Sequence, residues 1–241
     1  VADALPSQTV FAPAKINLYL HITGKADNGY HLLDSLVAFA DIGDEITIAP
    51  HNDFVFSIEG AFADSFNDSE KSTAPDSTNL AVRAAHMMAA LTGKSLQCHI
   101  TLTKNLPLSA GIGGGSTDAA AVIKSLMSFW GIDDIHDLAE RALTLGADVP
   151  VCLAGRAVQM RGIGEHITDA PDLPSMPAVL INPLVPCPTA QVFGHFDGAF
   201  SAQTALPAQG GNIYDFLRAQ QNDLSAAAIK TVPEIENILD M

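Results

Sequence analysis

Positive charge is scarce in this sequence. Twelve lysines and arginines stand against 27 aspartates and glutamates, for a net charge of −15 over 241 residues. The basic residues form no stripe, which excludes the electrostatic footprint that a nucleic-acid partner requires. It does not exclude small anions, because backbone amides, one or two lysines and a divalent cation act locally whatever the net charge. Cysteine is scarce too. Cys98, Cys152 and Cys187 are odd in number and far apart, which suits reduced packing thiols and excludes a disulfide frame or a zinc site. The eight histidines show no metal spacing. No uninterrupted apolar run reaches the roughly 18 residues of a membrane span. The N-terminus shows neither a basic flank with an apolar stretch nor an excess of Arg and Ser, so no secretory signal or transit peptide is expected and the location expected is cytoplasmic.

Two phosphate-binding motifs are also missing. No Gly-Lys followed by Ser or Thr stands at the Walker spacing from an earlier glycine, so there is no Walker loop. A dinucleotide fingerprint counted from Gly111 meets Ser116 where glycine is needed, and counted from Gly113 it meets Asp118. Neither of those folds is supported.

What the chain does have is an apolar content of 48% with 16% charged residues, the balance of an ordered globular protein. Its length suits one large or two small domains, and two are expected, with a soft boundary near Gly155 that no linker composition marks. Ile16, Leu18, Leu20 and Ile22 alternate with Lys15, Asn17, Tyr19 and His21, predicting a half-buried strand over 10–23. Asn28-Gly29 predicts a turn. Strands are predicted over 30–40, 44–49 and 54–58, and a polar, mobile loop over 60–77. Ser77 or Thr78 is expected to cap a helix that ends near Gly93, with Leu80, Ala84, Met87, Met88 and Leu91 on its buried stripe. Leu96, Cys98, Ile100 and Leu102 predict a second alternating strand. Helices are expected over 116–129, 134–145 and from Ile213 onward, and strands over 157–160 and 179–181.

The densest chemistry lies in Pro107-Leu108-Ser109-Ala110-Gly111-Ile112-Gly113-Gly114-Gly115-Ser116-Thr117-Asp118. Four glycines in five positions can turn several amides toward one anion, and the alanine-rich helix that follows adds its first-turn N–H groups and dipole. Ser116, Thr117 and Asp118 supply oxygens either for capping or for contact with a metal or phosphate. A flexible hinge is the competing reading, but a hinge does not need strong helix formers directly after it. Lys15 and Asn17 share a strand face that is either solvated or addressed to a substrate. Asp148, in Gly146-Ala147-Asp148-Val149-Pro150, is either an N-cap or a general base with Lys15 nearby to stabilise developing charge. Gly29-Tyr30-His31 suits either a plain hairpin or a nucleobase site.

Together, Pro13-Ala14-Lys15-Ile16-Asn17-Leu18, Gly29-Tyr30-His31, the 107–121 loop and Gly146–Pro150 resemble the GHMP small-molecule kinase superfamily across residues 1–155. The first two segments point, within it, to a branch acting on a cytidine-diphosphate-linked methylerythritol. The resemblance implies ATP and Mg²⁺ as cofactors and phosphoryl transfer to a hydroxyl of that small molecule, with no nucleic acid and no membrane as partner. It implies an α+β, two-domain fold: a ribosomal-protein-S5-like ATP-binding domain over 1–155, a ferredoxin-like α/β domain over 156–241, and the active site in the cleft.

By position, the resemblance makes Asp148 the catalytic base and Lys15 its electrostatic partner. Asn17 would hold the polyol or phosphate of the substrate, Tyr30 and His31 the cytosine, and Phe193 a second stacking ring. Pro107, Ser109, Ala110, Gly111, Ile112, Gly113, Gly114, Gly115, Ser116 and Thr117 would line the ATP phosphates, Thr117 standing where serine is usual. No residue is assigned to a metal. Members of the superfamily continue past a helix like 232–239 into another glycine-rich segment, which this sequence lacks. The competing functions are another kinase of the superfamily and a non-catalytic nucleotide-binding relative.

Overall fold

The computed structural model describes residues 6–241; the first five residues of the expected N-terminal domain lie outside the described residues. Two long strands open the chain, β1 (Gln8–Lys25) and β2 (His31–Pro50), and they pair with each other. Asn28-Gly29 turns the chain between them as predicted. Gly29 adopts φ +87°, its amide donates to Ala26 O at 2.9 Å, and Asn28 Oδ1 accepts from the Tyr30 amide. The strands expected separately over 30–40 and 44–49 are one continuous strand. β1 departs from the half-buried expectation: Tyr19, Leu20, His21 and Ile22 are all buried, so both faces are covered there.

By its contacts the chain divides into two units. The first takes the described chain up to Lys15, then Ala40–Leu108 and Gly113–Ala154; the second takes Ile16–Phe39, Ser109–Ile112 and Gly155–Met241.

In the first unit, β3 (Val55–Glu59) lies parallel to β4 (Cys98–Thr103), and β4 runs antiparallel to β2. A parallel pair needs a crossover, and α2 (Leu80–Thr92) supplies it, preceded by the one-turn α1 (Asp68–Lys71). The segment expected as a plain loop over 60–77 thus holds a 3₁₀ turn and α1. An Asn67–Glu70 capping box ties α1 down. The cap of α2 is Asn79, whose Oδ1 accepts from the Ala81 amide at 2.9 Å; Ser77, expected in that role, instead accepts from the Asn79 amide.

β4 shows the predicted alternation, and the register sets Ile46 opposite Leu102 and Ile48 opposite Ile100, all four buried. Onto that face pack α2 and α3 (Gly114–Trp130). Ala81, Ala84 and Ala85 of α2 and Ala119 and Ala121 of α3 are buried, and side chains this small let the two helices approach closely. α4 (Leu138–Leu143) is shorter than the 134–145 predicted, because Asp137 enters it in the left-handed region at φ +57°. α5 (Val149–Ala154) follows.

In the second unit, β5 (Val158–Gly162) pairs antiparallel with β2 over Leu33–Val37 and with β6 (His166–Asp169). The strand predicted over 179–181 does not form: Val179, Leu180 and Ile181 are exposed and pair with no strand. α6 (Thr189–His195) follows. The helical pattern after Ile213 resolves into α7 (Ile213–Arg218), α8 (Ser225–Thr231) and α9 (Glu234–Leu239). Asp34, fully buried, gathers this unit. It accepts from Tyr19 Oη, Gln159 Nε2, Arg161 Nε and, at 2.6 Å, the Thr204 amide. Among the described residues no helix is long and apolar enough to cross a membrane.

Candidate active site

α3 starts from the glycine loop, and its N-cap is Gly113 at φ +67°, ψ +14°. Glycine adopts that conformation freely, and with no side chain it offers the first-turn amides no internal cap. The Ser116 and Thr117 amides turn back to Gly113 O, both at 2.9 Å, leaving Gly114 and Gly115 with the amides that a helix's own ladder does not use. Thr117 is buried, and its hydroxyl donates to Gly114 O at 2.9 Å. Earlier in the loop Ser109 (φ +52°) and Gly111 (φ +73°) are also left-handed, and Ser109 O accepts from the Cys187 amide. Successive turns of this kind make concave nests of N–H groups.

Two lysines support the loop from beneath. A Cβ on Gly113 would fall 2.9 Å from Lys15 Cβ and 3.0 Å from its Cε; a Cβ on Gly114 would fall 3.0 Å from Lys104 Nζ. Both lysines are buried.

Lys15 Nζ reaches Asp148 Oδ2 at 3.2 Å, and the Asp148 side chain is 36% exposed. The Asp148 carbonyl accepts from the Cys152 amide at 3.0 Å, placing the residue at the start of α5, while its carboxylate faces Lys15. Pro150, in the first turn of α5, forfeits an N–H that has no helical partner there. Glycine loop, buried ammonium and accessible carboxylate thus meet around Lys15.

Lys104 is shared by two carboxylates, Asp44 Oδ2 at 2.5 Å and Asp118 Oδ2 at 2.7 Å. Asp44 Oδ1 also accepts from the amides of Asn105 (2.6 Å) and Leu106 (2.8 Å), fixing the root of the loop to β2. Burial alone would lower the Lys104 pKa, but the two carboxylates outweigh it and hold the pKa above the usual lysine value. Sequence reasoning missed Lys104 and Asp44 and read Asp118 as a capping residue or a metal or phosphate contact, not as the partner of a buried lysine. The nearest signal was Lys104-Asn105 leading straight into Leu106-Pro107.

The substrate residues expected from the resemblance lie in the second unit. Asn17 Nδ2 donates to Ser35 Oγ at 2.7 Å, and Ser35 Oγ donates to Tyr19 O. Tyr30 is 63% exposed on the β1–β2 turn. The His31 ring stacks on Phe193 with centroids 5.5 Å apart and planes at 21°, and Phe196 meets His31 edge-on at 5.6 Å. Burial, aided by Lys25, lowers the His31 pKa, which favours a neutral imidazole with one donor and one acceptor. Phe196 was not anticipated, although it sits one turn beyond Phe193. The cysteines are free thiols as expected: Cys98 and Cys152 are buried, and burial pushes them up to about 11 and about 12.

The model for the GHMP kinases N terminal domain matches residues 79–156, from the cap of α2 through the glycine loop to α5. A 4-diphosphocytidyl-2-C-methyl-D-erythritol kinase of Paramagnetospirillum magneticum is 45% identical over 239 residues, covering 98% of this chain and 81% of the relative. The chain belongs to the 4-diphosphocytidyl-2-C-methyl-D-erythritol kinase family. Another member, from Ruegeria pomeroyi, is 44% identical over 235 residues, covering 95% of this chain and 79% of its own.

A crystal structure of a 4-(cytidine 5'-diphospho)-2C-methyl-D-erythritol kinase superposes with a TM-score of 0.69 at 28% identity, over 96% of this chain and 81% of that one. A homoserine kinase from Cytophaga hutchinsonii shares the fold alone, with a TM-score of 0.52 at 16% identity over 81% of this chain and 61% of that one. The expected mixed α and β kinase fold is thus the one observed, and the chain is a small-molecule kinase by family.

Proposed function

We propose that this chain transfers the γ-phosphoryl group of ATP to the 2-hydroxyl of 4-diphosphocytidyl-2-C-methyl-D-erythritol, a step of non-mevalonate isoprenoid precursor synthesis. The observation that carries the reading is the meeting at Lys15: its stem packs under Gly113 while its ammonium lies 3.2 Å from Asp148. A phosphate cradle and a carboxylate that a substrate can reach are thereby tied to one side chain.

In this reading the Gly113–Ser116 backbone, with Pro107, Ser109, Ala110, Gly111, Ile112 and Thr117 around it, holds the ATP phosphates. Asp148 accepts the hydroxyl proton as the oxygen attacks phosphorus, and Lys15 offsets the charge that builds up there. Phosphoryl transfer is loose, so positioning and charge neutralisation contribute more than the base. Asn17 orients the polyol or a phosphate, and Tyr30, His31 and Phe193 hold the cytosine. A neutral His31 can both donate to and accept from the edge of the base. Among the described residues no group of three or more His, Cys, Asp or Glu could cage a metal; in this reading ATP would bring Mg²⁺ on its phosphate oxygens. Mg²⁺ supplies charge neutralisation on those oxygens when bound, and we assign it to no side chain.

The test is ADP release by the purified protein with ATP, Mg²⁺ and the cytidylated substrate, with CDP as competitor. Turnover that CDP suppresses competitively against the acceptor supports the assignment. Turnover on homoserine, mevalonate or a sugar that CDP leaves untouched would replace it with another kinase of the superfamily. Nucleotide binding without turnover on any of them would leave a non-catalytic relative.

A further inference from the structure

Asp118 has no task in the reaction just described, yet it is the fifth residue of the helix that opens the phosphate loop, and it is only 3% exposed. The two carboxylates that share Lys104 are not equivalent. Asp44 accepts three hydrogen bonds, from Lys104 and from the Asn105 and Leu106 amides, so its charge is fully solvated by the protein. Asp118 accepts one, from Lys104, and its second oxygen, Oδ1, is buried with no hydrogen-bond partner. A bare, buried carboxylate oxygen is costly when ionised and much less so when it carries a proton. One ammonium can balance one carboxylate, and the geometry gives that place to Asp44.

We propose, building on the nucleotide reading above, that Asp118 is a protonated acid while the loop grips ATP, and that its ionisation loosens the grip. With the proton in place, Lys104, Asp44 and Asp118 sum to zero charge. Without it they carry one negative charge, and Lys104 Nζ lies 3.0 Å from where a Cβ of Gly114 would stand, directly behind the amides that face the phosphates. That charge opposes the anion the amides attract.

The surroundings leave little else to set the balance. β2 contributes Asp44, the residue after β4 contributes Lys104, and α5 contributes the Cys152 thiol, which burial keeps neutral. On α3 itself the only other ionisable side chain is Lys124. The two ionisable groups on α2 are occupied elsewhere: Arg83 donates to Thr144 O and His86 to Thr73 O. Burial, opposed by Lys104 and reinforced by Asp44, raises the Asp118 pKa to about 7, so the switch falls in the physiological range.

The experiment is calorimetric titration with ATP from about pH 6 to about pH 8.5 at constant ionic strength, on wild type and on Asp118→Asn, which imitates the protonated acid. Ionisation of ATP affects both proteins alike and cancels in the ratio. The two should bind equally at low pH, and wild type should become roughly tenfold weaker than the variant at high pH, the size expected of one charge about 10 Å away at an effective dielectric constant near 20. Ratios that stay flat across the range overturn the proposal. A second readout covers a variant that does not fold: isotope-edited infrared spectra of wild type should show a protonated aspartic acid band that fades through about pH 7, and its absence at pH 6 overturns the proposal too. Failure of ATP to bind at any pH would count against the kinase reading instead, and the infrared band alone would then decide the state of Asp118.

Discussion

Lys15 and Lys104 sit under consecutive glycines of one loop, both buried, and they use their charge in opposite ways. Lys15 passes it outward: its partner Asp148 is 36% exposed and can meet a ligand. Lys104 keeps it inside: its partners Asp44 and Asp118 are sealed, and the result is a fixed loop root. Burial of the ammonium does not distinguish the two lysines. The accessibility of the carboxylate opposite it does.

The sharpest way to break the comparison is at the outward pair. Asp148→Asn should lower kcat by about 10²- to 10⁴-fold, the usual contribution of a general base, with ATP affinity in calorimetry close to wild type. Turnover at the wild-type rate would remove Asp148 from the chemistry. The variant's melting temperature should fall as well, because the Lys15 ammonium is buried and loses the charge of the carboxylate it faces.

At the inward cluster the effect should fall on stability. Lys104→Met leaves the buried Asp44 carboxylate without its cation and strips Asp118 of its hydrogen-bond donor, and denaturant unfolding should show a loss of about 3–5 kcal/mol. A variant as stable as wild type would mean that the cluster is not the anchor described.

Gly113→Ala should be the mildest. It forces a Cβ into a left-handed residue and against the Lys15 stem, at a cost of about 1–2 kcal/mol. It should raise KM for ATP and lower kcat together, since loop and Lys15 shift as one. A change in KM with kcat untouched would show that the loop moves independently of Lys15.

The parts of this arrangement that were legible in sequence are those written in short-range pattern. β4 announces itself through Cys98, Ile100 and Leu102, and the start of α3 follows from glycine run to alanine run. Lys15 and Asp148 were found through the family resemblance, since residues alone left each with two readings. The Lys104 cluster escaped because a buried ion network has no period: its members are 60 and 14 residues apart, and nothing local sets them off from surface charges. Tyr19 misled in a related way. It sits where an alternating strand should turn polar, but it buries its ring and hands its hydroxyl to Asp34, a partner 15 residues away. Val179–Ile181 erred in the other direction, since apolar, β-branched composition favours a strand without supplying a neighbour to pair with.

One dipeptide in β2 links the two lysines. A side chain on Gly43 would collide with the Ala12 carbonyl and lie 2.7 Å from Pro13 Cα, so β1 passes against bare backbone two residues before Lys15. Its neighbour Asp44 grasps Lys104 and the two amides that follow it. Gly43-Asp44 therefore acts as a common gauge for both ammonium groups: a one-residue slip of β2 would displace the pair in concert, and misalignment of one without the other would require damage elsewhere.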